Sequence, residues 1–212
     1  MTDNNLRDNR EKFRKISIFG LMMGLLVILF VTPLGFIPLG LINITTMHIP
    51  VVLSSILLGP AYGGFMGFLF GLFSFMKNTF SPGATSFLFS PFVDFGAVSG
   101  SGWSLVIAFV PRILIGILPA LIYRALNRVN EDREALNAGI GAGISTMIHT
   151  ALVFVGILTF FADEFAEALN IAVNTVLSVL GATVLFNGFF EALLAAFLTY
   201  AIMKVYLNYR KR

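Results

Sequence analysis

Arg112 is the residue of this chain whose type and position most need a chemical explanation. It lies inside Leu105–Arg124, a run that is otherwise strongly apolar. At such a depth a charge is expensive unless it faces protein or water. A guanidinium held there can clamp a carboxylate through two parallel hydrogen bonds. Glu191 sits inside a second apolar run, Ala182–Tyr206, and a pair with Arg112 is the structural alternative; the two roles can coexist. Asn187 precedes Glu191 by one helical turn, so both fall on one face. Its amide offers a donor and an acceptor, either to a polar ligand or to a neighbouring helix.

Further polar residues cluster near the ends of apolar runs. Asn43, Thr45 and His48 flank the start of one run, and Lys77 and Asn78 close another. Each could reach a ligand, although a terminal Lys also snorkels to an interface or caps carbonyls. His149, in the middle of an apolar run, reads as a hydrogen-bonded packing residue. Trp103, the one tryptophan, reads as an interface anchor. Neither histidine has metal-ligand spacing to another His or carboxylate, so no metal or other cofactor is expected. With no Cys, thiolate chemistry and disulfides are excluded. GxxxxGK[ST], HExxH and GxSxG are all absent, and no nucleophile–base constellation can be assembled. The chain does not read as an enzyme.

The elements that must position these residues follow from composition. The chain has 212 residues, 57% apolar and 12% charged, with 23 Phe and 20 Gly. Mean hydropathy is +0.88. A soluble domain is nearer a quarter charged; this one has too few polar residues to cover a water-facing surface. A cytosolic globule, a disordered tail and a nucleic-acid-binding module are ruled out, and an all-α protein of the cell membrane is expected. Six spans are predicted near Ile16–Thr32, Ile44–Gly59, Ala61–Met76, Leu105–Arg124, Asn137–Phe160 and Ala182–Tyr206. They make one transmembrane domain, residues 16–206, between a polar segment 1–15 and a basic tail 207–212. The second and third spans are short and separated by Gly59-Pro60, which cannot continue a helix.

Orientation comes from Lys and Arg. Arg7, Arg10, Lys12, Arg14 and Lys15 precede the first span. Arg124, Arg128 and Arg133 lie after the fourth, and Lys204, Arg210, Lys211 and Arg212 close the chain. Six spans bring these clusters to one side, so both termini are expected in the cytoplasm. Three loops then crowd the outer face. The first, Pro33 to Met47, includes Gly35, Gly40, Asn43 and Thr45, and the second, Lys77 to Ser104, is long enough to act as a lid. In the third, Asp163 to Leu180 is expected as an amphipathic helix on the outer face with Asp163 as N-cap. Gly63, Gly64, Gly67 and Gly71 give the third span a smooth face for close packing. Gly20 and Gly24 form a small-xxx-small motif, suited to another subunit or to internal packing.

The run Thr45-Thr46-Met47-His48-Ile49-Pro50, followed by Leu57-Leu58-Gly59-Pro60 and the Gly-rich third span, resembles the substrate-binding S component of energy-coupling factor (ECF) vitamin transporters. The specific likeness is confined to residues 44–72 and is greatest to the pantothenate-type branch. The resemblance implies a high-affinity vitamin-binding subunit loaded from outside. It also implies a transmembrane coupling subunit and two cytosolic ATPases as partners, with Gly20 and Gly24 at the coupling contact in place of the family's usual Ala pair. Arg112 would take a carboxylate, and Asn187 or Asn78 the amide and hydroxyl groups. Riboflavin, pyridoxine or a thiamine precursor stay open as substrates, as does a stand-alone secondary carrier.

Overall fold

The computed structural model describes residues 3–39 and 42–210. The side chains of residues 3–7, 38, 39, 42–44 and 210 fall outside that description. Gly40, Lys211 and Arg212, and the side chains of Arg7, Asn43 and Arg210, therefore lie outside the described residues. The body is a helical bundle: α1 Asp3–Val31, α2 His48–Leu58, α3 Pro60–Phe80, α4 Gly102–Val129, α5 Glu134–Phe160, α6 Ala162–Leu169, α7 Val173–Thr183 and α8 Phe189–Arg210. Among the described residues, four stretches are long and apolar enough to cross a membrane, in α1, α4, α5 and the α7–α8 helix. The protein is an all-α membrane protein, and large apolar side chains such as Leu21, Val110, Leu185 and Phe197 stand exposed around its outside. In water so many would be a liability; in lipid they are the solvent-matched surface.

Several helix ends differ from the sequence expectation. The first helix extends back to Asp3, so the polar residues 3–15 are helical and continuous with the predicted first span. The third ends at Phe80, not Met76. The fourth begins at Gly102 rather than Leu105 because Ser101 and Ser104 form a reciprocal cap on its first turn. The largest difference lies in the third of the long loops. Its helix is only α6, which ends at Asn170 in the left-handed conformation. A new helix starts at Val173 and runs unbroken through a π-turn, Val184–Gly188, into α8. A single glycine, Gly181, does not stop a helix inside a packed bundle. Asp163 is not the N-cap; Phe161 occupies that position with no side-chain bond. Asp163 lies in the first turn of α6 instead, where its charge faces the positive end of the helix.

The first long loop, between α1 and α2, is not open chain. It folds as an antiparallel hairpin of β1 Phe36–Leu39 and β2 Ile42–Thr45, with Phe36 opposite Thr45. The second carries a one-turn helix, Ser86–Leu88, and a smaller hairpin of β3 Asp94–Phe95 and β4 Val98–Ser99. As expected, α2 is short: eleven residues rise about 16 Å, half of a ~30 Å hydrocarbon core. The β1–β2 hairpin precedes α2 directly, and His48 is the first residue of that helix.

The glycine face of α3 performs the close packing expected of it. A Cβ at Gly63 would lie 2.0 Å from the carbonyl oxygen of Gly116, and one at Gly67 2.1 Å from that of Arg112. Only hydrogen fits there, so the α3 and α4 backbones touch. Gly59, with φ +108, makes the α2–α3 break, and Pro60 opens α3.

Two apolar clusters result. One holds Met22, Leu26, Val52, Met66, Ile115, Ala142 and Ala195. The other holds Phe87, Phe89, Ile107, Ile157, Phe161 and Leu180. Between Ile107 and Ile115 on α4 lies Arg112. Between Ala142 and Ile157 on α5 lies His149, and between Leu180 and Ala195 lie Asn187 and Glu191. The polar residues of the sequence thus form one layer sandwiched between two cores.

Candidate functional site

That layer surrounds a cavity of about 100 Å³, smaller than the ~300–1,000 Å³ typical of small-molecule sites. Its walls mix Phe70, Phe89, Phe154 and Ile157 with Arg112, Glu191, Asn187, Asn78 and Thr45. Five of the residues singled out from sequence are therefore brought together. His48 does not line the cavity and is buried to 1% exposure. Asn43 lies in β2 opposite Pro38.

Arg112 is shaped by the residue before it. Pro111 has no N–H, so the carbonyl of Ile107, four residues back, loses its helical donor. The Nη1 of Arg112 turns back and donates to that carbonyl. The guanidinium is then held over the Phe89 ring at 4.9 Å and the Phe70 ring at 5.7 Å, a cation–π arrangement worth more when desolvated. Its Nε remains buried without a partner. Pro111→Ala is expected to restore the helical bond and release Nη1. Binding should weaken several-fold while the helix itself loses nothing, measurable by titration calorimetry beside thermal melting.

Glu191 does not close on Arg112. Its Oε1 accepts the backbone N–H of Thr45 at 2.7 Å, a latch between α8 and the β1–β2 hairpin in place of the alternative ion pair. The Thr45 hydroxyl is also engaged, donating to Gly35 O at 3.0 Å and accepting from Met47 N–H at 3.2 Å. Glu191→Ala leaves the Thr45 N–H without an acceptor, costing about 1–3 kcal/mol. Faster hydrogen exchange at Thr45 and weaker ligand retention are expected. Glu191→Gln keeps an acceptor oxygen and should preserve both.

Asn78 lines the cavity with its amide committed to structure. Its Nδ2 donates to Ser74 O at 2.8 Å and its Oδ1 accepts from the Ser86 hydroxyl at 2.7 Å. Thr79 and Ser90 add a second tie at 2.8 Å, and the Ser104 hydroxyl donates to Phe87 O at 2.6 Å. The long second loop is thereby fastened over the cavity. Asn187 sits in the π-turn, a distortion that often marks function because it re-aims side chains.

His149 was not expected here. A hydrogen-bonded packing role is the expectation from sequence, but His149 lines the cavity and neither ring nitrogen has a partner. Thr150 and Thr183 join the same wall. A lone His on an apolar helix carries no spacing signal, so only the bundle reveals it. Trp103 stays exposed and stacks on Phe160 at 4.1 Å, where α4 begins and α5 ends.

Residues 14–203 match the family described as ECF transporter, substrate-specific component. The chain belongs to this family. Its role is transport, as a multi-pass protein of the cell membrane. Among relatives, it is 41% identical over 160 residues to the "Pantothenic acid transporter PanT" of Lactococcus lactis subsp. cremoris, covering 75% of each chain. It is 27% identical over 214 residues to the "Pantothenate transporter PanT" of Leuconostoc mesenteroides subsp. mesenteroides, covering 98% of each.

Proposed function

We propose that this substrate-specific component binds pantothenate from outside and delivers it through an ATP-driven ECF importer. The observation that carries the reading is the Arg112 guanidinium, buried in the cavity with its Nε unpartnered. Such a group is costly without an anion, and pantothenate supplies one as its carboxylate. The rest of that molecule is an amide, two hydroxyls and a gem-dimethyl carbon. Asn187, Thr150 and Thr183 suit the polar groups, and Phe154 and Ile157 suit the apolar centre. The names of the two relatives support the same substrate.

The bundle crosses the membrane six times, with α2 and its hairpin together making one crossing and both termini in the cytoplasm. Its partners are a transmembrane coupling subunit and two cytosolic ATPases. Gly20 and Gly24 lie on an open face of α1, where an added Cβ would meet nothing within 4 Å. That face receives the coupling subunit. The hairpin and the second loop close over the vitamin, and ATP hydrolysis in the partners drives reorientation and release. The test is native mass spectrometry of protein from its own membranes, followed by calorimetry with pantothenate. Submicromolar binding is the expected result. A retained flavin or another vitamin would overturn the substrate, and uptake without ATPase partners would overturn the ECF mechanism.

A further inference from the structure

The cavity contains a second unpartnered polar side chain. His149 is 5% exposed, lines the cavity, and has neither Nδ1 nor Nε2 in a hydrogen bond. Its ring is tilted against Phe70 at 6.2 Å, and the same Phe70 carries the Arg112 guanidinium on its face. Counting from the outer ends of α4 and α5, Arg112 and His149 lie at matching depths of about 16 Å. The other charged group of the cavity, Glu191, is already engaged by Thr45. The two free donors at this level are thus an arginine Nε–H and an imidazole N–H, both beside one phenylalanine ring. A carboxylate has two oxygens and about four lone-pair sites, enough to take both.

We propose that His149 and Arg112 together form a two-donor seat for the carboxylate of the cargo, His149 being a specificity-determining residue. This rests on the transport reading above and deepens it. Arg112 supplies charge, and His149 supplies a second, directional hydrogen bond. The seat favours a carboxylate over an alcohol or amide at the same end of the molecule.

The chain has only two histidines, and His48 does not line the cavity. Protein labelled with 15N at histidine and held in lipid nanodiscs therefore gives a two-residue imidazole spectrum, assigned with His149→Asn. Pantothenate and, separately, millimolar propionate are titrated in. The expected result is a shift of the His149 nitrogens with both ligands and none at His48. A shift with propionate alone supports the seat and overturns pantothenate as the cargo. No shift with either ligand overturns the seat, whatever calorimetry says about pantothenate. In parallel, His149→Leu is expected to raise the Kd for pantothenate about tenfold and leave that for its alcohol analogue unchanged. His149→Asn, which keeps a donor, should recover part of the loss. Equal loss for both ligands makes His149 a packing residue and overturns the proposal.

Discussion

Replacing Arg112 by Ala is expected to raise the Kd for pantothenate about a hundredfold or more. Its neutral alcohol analogue should change by no more than a few-fold. Truncating one partner of a buried, hydrogen-bonded charge pair costs roughly 2–5 kcal/mol, and each 1.4 kcal/mol is about tenfold in affinity. The alcohol has no charge to lose, so it reports only on cavity shape. Arg112→Lys is expected to fall between. An ammonium keeps the charge but cannot lie flat on Phe89 and Phe70 while also reaching the Ile107 carbonyl. Calorimetry with both ligands checks the three proteins. Equal losses for acid and alcohol would show that Arg112 holds the bundle rather than the cargo.

The sequence made Arg112 conspicuous because charge in an apolar run is rare, and that signal does not depend on neighbours. Its structural setting was less legible. Pro111 was visible, but that it frees the Ile107 carbonyl for the guanidinium requires knowing that the helix continues through the proline. Glu191 was equally conspicuous, yet its partner is a backbone N–H 146 positions away. No pattern of side-chain types announces a backbone donor. Asn78 was read as a ligand contact; its cavity position holds, while its amide bonds go to Ser74 and Ser86.

The fold shows the same division. Local punctuation such as Gly59-Pro60 and the glycines of α3 carried through to the structure. Composition also decided the class of protein. The β1–β2 hairpin escaped because its strands hold Pro38 and lie in a Gly- and Pro-rich stretch that reads as loop. The π-turn at Val184–Gly188 escaped because one extra residue per turn leaves no mark on an apolar run. His149 escaped for want of any partner in the sequence, and that lack of a partner is what makes it informative in the structure.

The two sets of glycines should separate when each is given a side chain. A Cβ on Gly67 would lie 2.1 Å from the Arg112 carbonyl oxygen and 2.9 Å from its carbon. Both are backbone atoms of a packed helix, so α3 and α4 must move apart. Overpacking of this kind costs about 1–3 kcal/mol and often more. Here it displaces Arg112, the residue proposed to take the cargo's carboxylate. Gly67→Ala is therefore expected to lower the melting temperature by several degrees and abolish measurable pantothenate binding. At Gly20 and Gly24 the space beside α1 is open. Replacing either by Leu should leave melting and binding as in the parent protein. ATP-driven uptake in proteoliposomes should nevertheless fall steeply, because a branched side chain blocks the close approach of a partner helix. Loss of binding with Gly24→Leu would place α1 in the cavity's support. Unchanged uptake would remove this face of α1 from the coupling contact.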